Sequence, residues 1–365
     1  MNAFQHLILL VSICGCAPLF AQTDTPIPSL SGTADGLFYI GAAVEPRQLQ
    51  GREGELLKRQ VNTLTAENAM KMYALWTGND SATYRWAAAD RIVDFARENG
   101  MKVRGHTLIW HNAPAAFFKD ENGNDLDSAA LYRRTEAYMR AVLTHFDSTV
   151  FCWDVVNEAI AERDGEGSIY RQDSPWYRIC GADYIAWAFR TAHRIRPDMK
   201  LFYNDYSLVY PDKLQRTLTM LRQLLAEGVP IDGVGMQAHW NNAVTAEQIQ
   251  AAVDSFAMLG LDIHITELDL TIYGNYHDGA RQATTATLPY DAETSRRQAE
   301  AYARFFEVFR RNSDKISSVT LWGIADNHTW LNNHPVKGRR DYPLLFDTLQ
   351  QPKEAFFRVI DTLTE

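Results

Sequence analysis

Eight short apolar runs recur along this chain, and each is followed by a stretch with helical periodicity. The runs contain little polar alternation, which is typical of strands that are buried on both faces of a sheet. The predicted strands are residues 38–44, 60–64, 101–109, 150–156, 200–203, 233–236, 261–266 and 317–321. The predicted helices are residues 53–59, 90–99, 131–146, 184–195, 211–227, 246–259, 295–312 and 353–363.

A strict alternation of this kind predicts the α/β class and a single (β/α)8 TIM barrel, with its active site at the C-terminal ends of the strands. No glycine-rich phosphate loop follows the first strand, which argues against a dinucleotide-binding fold. We expect the barrel to occupy residues 37–363 of the 365-residue chain. This leaves no room for a second domain.

The fourth and seventh predicted strands each end in a glutamate, Glu158 and Glu267. These strands lie nearly across from each other in a closed barrel, so the two carboxyl groups are predicted to face each other over its mouth. Such a pair is typical of sites that cleave glycosidic bonds, where one carboxyl is protonated and the other ionised. Asn157 is placed to bind a sugar 2-hydroxyl. His239 is placed to hold Glu267, and Asp269 to fix the His239 tautomer.

Other polar and aromatic side chains are predicted at or just past the same strand ends. Because the carboxyl ends of all barrel strands meet at one face, we expect these residues to be neighbours in space. They are Glu67, Asn68, His106, Trp110, His111, Asn204, Gln237, His239 and Trp322. The nine Trp and sixteen Tyr of the chain offer aromatic faces that suit sugar rings.

Several segments together resemble glycoside hydrolase family 10, the endo-β-1,4-xylanases. The resemblance covers essentially everything from about residue 37 to residue 360. The matching segments are 65–71, 104–111, 153–158, 204–206, 235–240, 265–269, 322–323 with Trp330, and 343–347. Each segment alone is weak evidence for the resemblance, whereas all of the segments together, in the order in which the family has them, are specific to this family.

The resemblance implies a retaining endo-1,4-β-xylanase (EC 3.2.1.8), which hydrolyses internal bonds of xylan through a covalent glycosyl-enzyme intermediate. Glu158 matches the general acid/base and Glu267 the nucleophile. Retention requires their carboxyl groups to lie roughly 5 Å apart.

The resemblance also assigns substrate contacts. Positions that match those holding sugars on the non-reducing side are Glu67, Asn68, Lys71, His106 and Trp110. Trp322 and Trp330 match aromatic walls near the cleaved bond, and Asn204 and Tyr206 match the leaving-group side. Further substrate contacts are expected from Asn157, Gln237 and His239, with Asp154, Asp269 and His111 in support.

Two other functions were weighed. A cellulase or mixed-linkage glucanase would use the same chemistry, but the bulk of Trp330 near the reacting sugar is expected to exclude the hydroxymethyl group of glucose. A non-catalytic glycan-binding barrel should have lost Glu158 or Glu267, and both are present.

Metals, cofactors and nucleic acids are not expected as partners. The chain has no His-x-His pair or other compact ligand cluster, which argues against a metal site at His106, His111 and His239. The net charge of −9, without a basic stripe, argues against nucleic acid. The expected partners are xylan and xylo-oligosaccharides, and the expected oligomeric state is a monomer.

The N-terminus predicts export. Residues 7–14 are apolar apart from Ser12, and the run is too short to span a membrane. A signal peptide over residues 1–21, cleaved after Ala21, and a lipoprotein signal that ends before Cys16 both fit. We therefore expect a protein that is secreted, periplasmic or lipid-anchored at the cell surface, with a leader over residues 22–36. Cys152 and Cys180 are expected to be free buried thiols.

Overall fold

The computed structural model describes residues 27–78, 83–146, 148–165, 167–274 and 285–365. Strands are numbered in chain order within these ranges. They are β1 Tyr39–Val44, β2 Thr63–Ala66, β3 Lys102–Gly105, β4 Ile109–Trp110, β5 Val150–Asn157, β6 Ile160–Gly165, β7 Ser168–Tyr170, β8 Lys200–Asp205, β9 Gly233–Met236, β10 His239–Asn241, β11 Asp262–Thr271 and β12 Ile316–Leu321.

Eight of these strands form one closed parallel barrel. Their order is β1, β2, β3, β5, β8, β9, β11 and β12, and β12 pairs with β1 to close the ring. This confirms the predicted (β/α)8 TIM barrel. The short strands β4 and β10 pair with β5 and β11, whereas β6 and β7 form a separate antiparallel hairpin.

Helices surround the barrel and connect its strands. They are α1 Leu30–Thr33, α2 Gly51–Gln60, α3 Met72–Leu75, α4 Ala87–Glu98, α5 Ser128–His145, α6 Pro175–Cys180, α7 Asp183–Ile195, α8 Pro211–Ala226, α9 Ala246–Ala257, α10 Ala292–Arg311 and α11 Glu354–Thr364. Short 3₁₀ turns lie at Pro46–Leu49, Ala115–Phe118 and Trp330–Asn332. The barrel strands are buried almost throughout, which agrees with their apolar sequence.

Three strands have a boundary that differs from the prediction by three residues or more. Helix α2 continues to Gln60, where the second strand was expected to begin, because the buried Gln60 side chain bonds to the backbone of the N-terminal segment. The third strand stops at Gly105, because the side chains of His106 and Thr107 turn to bond Asp154. Strand β11 runs past Glu267, since its end pairs with β10.

The packed structure begins before residue 37, where the sequence led us to expect a poorly ordered leader. Leu30 and Ala34 are fully buried. The Leu30 N–H donates a 2.9 Å hydrogen bond to Gln60 Oε1, and Gln60 Nε2 donates one to the Pro28 carbonyl. The described part of the expected leader is therefore packed onto the barrel as helix α1.

The described cysteines are both free thiols. Cys152 is buried in β5 as predicted, but the prediction that Cys180 is buried was wrong, because the end of the short helix α6 leaves it partly exposed. Within the described ranges, none of the helices is both long and apolar enough to span a membrane. The predicted signal peptide and Cys16 lie outside the described residues.

Candidate active site

The carboxyl ends of the barrel strands open into a cleft of about 410 Å³. Most of the predicted site residues line it. They are Lys71, His106, Trp110, Asn157, Glu158, Tyr206, Gln237, His239, Glu267, Trp322 and Trp330. Sequence reasoning did not single out Glu162 and His334, which also line the cleft.

Glu267 lies within β11 and is almost fully buried, with 4% of its surface exposed. Asn204 Nδ2 donates a 2.8 Å hydrogen bond to Glu267 Oε1. His239 Nε2 lies 3.2 Å from Glu267 Oε2, and Asp269 Oδ1 lies 3.0 Å from His239 Nδ1. The predicted line of contacts from Asp269 through His239 to Glu267 is therefore present.

Opposing effects set the charge of Glu267. Burial acts to raise its pKa, but the hydrogen bond from His239 and the attraction of His106, His239 and Lys71 lower the pKa to about 2. Burial likewise acts to lower the pKa of His239, but Asp269 and Glu267 raise it to about 10. Near neutral pH, an ionised Glu267 therefore contacts a protonated imidazole.

Glu158 follows β5 and has a left-handed backbone conformation, with φ of 59°. Its carboxylate accepts hydrogen bonds from Trp110 Nε1 at 2.8 Å and from Gln237 Nε2 at 2.9 Å. His111 Nδ1 lies farther off, 3.8 Å from Glu158 Oε2. Neutral donors thus surround this carboxylate, whereas a charged imidazole contacts Glu267.

The pKa of Glu158 lies below its ordinary value. Burial is the largest influence and acts to raise this pKa, but attraction to His111 and hydrogen bonds from Gln237 and Trp110 outweigh it. Burial also lowers the pKa of His111, so at neutral pH this imidazole loses its proton and that attraction weakens. The hydrogen bonds from Gln237 and Trp110 then remain to oppose the effect of burial on the Glu158 carboxyl.

A chain of side-chain amides connects the two glutamates. Asn204 Nδ2 donates to both Glu267 Oε1, at 2.8 Å, and Asn157 Oδ1, at 2.9 Å. Gln237 Nε2 in turn donates to Asn157 Oδ1 at 3.4 Å and to Glu158 Oε1 at 2.9 Å. Three amides from three different strand ends therefore fix the positions of both carboxylates relative to each other.

Asn204, for which the resemblance implies a contact on the leaving-group side, is not among the residues that line the cleft. Its side chain is fully buried, and its amide nitrogen is bound to Glu267 and Asn157. Its Oδ1 accepts a 2.7 Å hydrogen bond from the hydroxyl of Thr266. These contacts occupy the amide, so Asn204 fixes the orientation of the Glu267 carboxylate.

A buried lysine lies between two of the aromatic walls. Lys71 Nζ is 4.8 Å from the ring centroid of Trp110 and 5.7 Å from that of Trp322. Burial lowers the pKa of Lys71, and Glu267 and Glu158 oppose this shift. The cleft thus combines cation, carboxylate and aromatic faces, which suits a ligand with both hydroxyl groups and apolar faces.

Glu67 and Asn68 lie beside the cleft and do not form part of its lining. Glu67 Oε2 is 2.7 Å from His328 Nε2. Asn68 Nδ2 donates a 2.6 Å hydrogen bond to Glu45 Oε1, and Asn68 Oδ1 accepts one from the Tyr73 hydroxyl. These contacts join the chain after β1 and β2 to the chain after β12, and they extend the polar surface at the edge of the cleft.

Two carboxylates beneath the cleft hold its aromatic and imidazole groups. Asp154 is fully buried, and its Oδ2 lies 2.8 Å from His106 Nδ1. Arg104 forms an ion pair with the other Asp154 oxygen. Asp269 Oδ2 accepts a 2.8 Å hydrogen bond from Trp330 Nε1. The expected supporting roles of Asp154 and Asp269 therefore correspond to direct contacts with residues of the cleft.

Sequence reasoning missed Arg171 and Lys213. Lys213 forms a buried ion pair of 2.6 Å with Asp205, and its Nζ lies 3.2 Å from the ring centroid of Tyr206. Arg171 Nη2 donates a 2.6 Å hydrogen bond to the Tyr206 hydroxyl. Neither residue follows an apolar strand, so the rule that located the other site residues could not find them.

The described residues do not bring three or more His, Cys, Asp or Glu side chains together in a way that could hold a metal ion. The imidazole of His106 contacts Asp154, and that of His239 contacts Glu267 and Asp269. The arrangement is chemically suited to nucleophilic attack by one carboxylate and proton transfer by the other.

Comparisons with known proteins agree with this geometry. The family model described as Glycosyl hydrolase family 10 matches residues 29–362. Endo-1,4-beta-xylanase B from Paenibacillus barcinonensis is 41% identical over 339 residues, covering 92% of this chain and 99% of the relative. An endo-1,4-beta-xylanase from Geobacillus stearothermophilus is 41% identical over 337 residues, covering 92% and 98%. The crystal structure of endo-1,4-beta-xylanase from Caldicellulosiruptor owensensis has a TM-score of 0.85 at 42% identity, covering 92% of this chain and 100% of that chain.

Proposed function

Because this chain belongs to glycosyl hydrolase family 10, we propose that it is a retaining endo-1,4-β-xylanase that hydrolyses internal β-1,4-xylosidic bonds of xylan. Its relatives with that activity in their names align over nearly their whole length. The observation that carries the proposal is that Glu158 and Glu267, from two separate barrel strands, line one cleft. Two carboxylates across a sugar-binding cleft suit double displacement.

Glu267 is the nucleophile in this proposal. It is ionised, and His239 and Asn204 contact its two oxygen atoms, which fixes the orientation of the carboxylate. Attack on the anomeric carbon forms an ester between Glu267 and the sugar while the bond to the leaving oxygen breaks. The protonated His239 remains beside the ester and stabilises the carboxylate when it is released.

Glu158 is the general acid and then the general base. Substrate in the cleft displaces water from Glu158, which strengthens the effect of burial and raises its pKa toward the protonated form. Repulsion from the Glu267 charge acts in the same direction. Once Glu267 is esterified, this charge is gone and the pKa of Glu158 falls. The carboxylate can then take a proton from the water that hydrolyses the ester.

Alanine variants of the two glutamates test this division of roles. Glu267→Ala should abolish turnover of every substrate, because no other carboxylate replaces the nucleophile. Glu158→Ala should retain formation of the covalent intermediate from xylosides whose leaving groups need no protonation. The measurement is pre-steady-state release of dinitrophenol and of phenol from aryl xylobiosides. Equal losses for both variants on all substrates would contradict the assignment.

A β-1,4-glucanase remains the alternative within the same chemistry. Initial rates on xylan and on carboxymethyl-cellulose, measured with the purified protein, separate the two functions. A higher rate on carboxymethyl-cellulose would contradict the xylanase proposal. The product ladder from a xylan digest shows in addition whether cleavage is internal.

We also propose that the protein is exported and acts as a monomer on xylan outside the cytoplasm. Support comes from the apolar run at residues 7–14 and from the expected polymeric substrate. The mass of the mature N-terminus distinguishes cleavage after Ala21 from lipidation of Cys16. An unprocessed N-terminus in the native host would contradict export by either route, and light scattering tests the monomer.

A further inference from the structure

The backbone of Glu158 is held in a conformation that residues with a side chain rarely adopt. Its φ of 59° lies in the left-handed region, which is strained for a residue other than glycine. Its N–H donates a 2.9 Å hydrogen bond to the Asn204 carbonyl. Its own carbonyl oxygen accepts a 3.1 Å hydrogen bond from Arg171 Nε. These two contacts fix the peptide groups on both sides of Glu158, and therefore the direction of its side chain.

Arg171 reaches Glu158 from the end of the β6–β7 hairpin. The Arg171 N–H donates a 2.8 Å hydrogen bond to the Ala159 carbonyl, which ties the returning chain to the turn after Glu158. The Tyr203 hydroxyl accepts a 3.1 Å hydrogen bond from the Ala159 N–H on the same turn. The hairpin thus returns the chain so that Arg171 lies beside Glu158.

The same guanidinium also contacts the cleft wall on the next strand. Arg171 Nη2 donates a 2.6 Å hydrogen bond to the hydroxyl oxygen of Tyr206, which follows β8 and lines the cleft. Lys213 lies against the ring of Tyr206, 3.2 Å from its centroid. Attraction to Tyr206, Glu158 and Asp205 outweighs burial and raises the pKa of Arg171, so the guanidinium stays charged.

We propose that Arg171 is a positioning residue for the acid/base. It holds the turn that directs the Glu158 carboxyl to the leaving oxygen, and it fixes that turn relative to Tyr206 on the leaving-group side. The inference rests on the proposed function, since it requires that Glu158 protonates a leaving group. Arg171 is not among the residues that line the cleft, so it acts through Glu158 and Tyr206. The planar guanidinium presents two separate nitrogen atoms, Nε and Nη2, to these acceptors in a fixed geometry, whereas lysine has a single nitrogen atom at the end of a flexible chain.

Arg171→Lys, which keeps the charge, tests the proposal, and Arg216→Lys is its matched control. Arg216 Nη2 also donates to the hairpin backbone, at 3.0 Å to the Ala161 carbonyl and 2.8 Å to the Glu162 carbonyl, which lie past the turn at Glu158. The readouts are kcat/KM for dinitrophenyl, nitrophenyl and phenyl xylobiosides, turnover of the dinitrophenyl substrate with added azide, and thermal unfolding.

We expect Arg171→Lys to lower kcat/KM for phenyl xylobioside about 30-fold, because this leaving group needs a proton. The kcat/KM for the dinitrophenyl substrate should change by no more than about threefold, because its phenolate leaves unprotonated. Azide should then speed turnover by attacking the anomeric carbon of the intermediate, which releases Glu267 and yields a xylobiosyl azide. Arg216→Lys should show no such dependence on the leaving group.

Equal loss on all three substrates would overturn the proposal, as would the same pattern in Arg216→Lys. If Arg171→Lys fails to fold, Tyr206→Phe tests the same arrangement by removing the acceptor of Arg171 Nη2. In Tyr206→Phe, kcat/KM should show the same dependence on the leaving group to a smaller degree. A Tyr206→Phe variant without this dependence would also overturn the proposal. Wild-type protein that fails to hydrolyse xylan would contradict the proposed function instead.

Discussion

The buried amide of Asn204 holds the Glu267 carboxylate in one orientation. Its Oδ1 and Nδ2 atoms contact Thr266, Asn157 and Glu267, and the neighbouring Gly235 leaves space for it. A Cβ atom at Gly235 would lie 2.2 Å from Asn204 Oδ1. The sequence placed Asn204 at a strand end correctly but could not show which way its amide points.

The Gly235→Ala variant should therefore displace Asn204 and misorient Glu267. We expect kcat to fall about 100-fold, because small displacements of a reacting group have effects of that order. Asn204→Ala removes the same hydrogen bond without steric pressure and should show a comparable loss. The assay is turnover of dinitrophenyl xylobioside, with thermal unfolding measured separately. A Gly235→Ala variant with wild-type kcat would show that the amide has no role in orienting Glu267.

The contact between His239 and Glu267 should make stability depend on pH in both directions. The Glu267 pKa falls from 4.5 to about 2, so its contribution is present above about pH 4.5 and is lost as the pH falls toward 2. The His239 pKa rises from 6.5 to about 10, so its contribution is present below about pH 6.5 and is lost as the pH rises toward 10. The His239–Glu267 contact contributes to both pKa shifts, together with Asp269 beside His239 and with His106 and Lys71 near Glu267.

We therefore expect the stability difference between wild type and His239→Asn to be largest between about pH 4.5 and 6.5. Urea unfolding of both proteins from pH 3 to pH 10 measures this difference, and subtraction removes the contribution of the other titrating groups. A difference that stays constant up to pH 10 would mean that the imidazole is not charged in the folded protein.

At the scale of secondary structure, the apolar runs located every barrel strand but not every boundary. Buried strands can be recognised in the sequence because both of their faces need apolar side chains. The β6–β7 hairpin was missed, because its segment is partly exposed and charged and has no apolar alternation. The kink after Gly105 was missed as well, because it depends on the contact of His106 with Asp154, which is distant in sequence.

A short 3₁₀ turn, Trp330–Asn332, presents Trp330 to the cleft. The indole donates to Asp269, and its ring stacks on His334 with centroids 5.0 Å apart. These contacts hold the indole in place at the wall of the cleft.

Trp330→Ala should admit the hydroxymethyl group of glucose. We expect the ratio of cellotetraose to xylotetraose hydrolysis to rise about tenfold, since an extra small group in a pocket has effects of that order. Competition assays with both oligosaccharides measure the ratio. Trp86→Ala, in which the lost indole stacks on His145, is the control and should leave the ratio unchanged. An unchanged ratio in Trp330→Ala would assign the discrimination to another residue.

On the scale of the whole molecule, helix α1 belongs to the folded domain, although the composition of its segment is typical of a leader. Proline, serine and threonine dominate residues 23–35 of the sequence. The burial of Leu30 and Ala34 shows that the described part of this segment packs on the barrel domain. The family match also begins at residue 29, just before α1. Four helical residues are too few to produce a periodic pattern, so the packing could not be read from periodicity.

Leu30→Ala should lower the free energy of unfolding by about 2–5 kcal/mol, because it removes a fully buried leucine side chain. Ser31→Ala changes the adjacent, partly exposed position and should have little effect. Urea unfolding measures both. An unchanged midpoint for Leu30→Ala would mean that α1 does not pack against the barrel in solution.

Helix α1 also contacts α11, the last helix, so the two ends of the folded chain are neighbours. Because α1 leads into β1 and α11 follows the last barrel strand, both ends lie at the base of the barrel, and the cleft opens at the other face. A tag, a tether to a solid support or a fused module attached at either end would leave the mouth unobstructed. The enzyme could therefore be immobilised through either terminus with its cleft still turned toward an insoluble polymer.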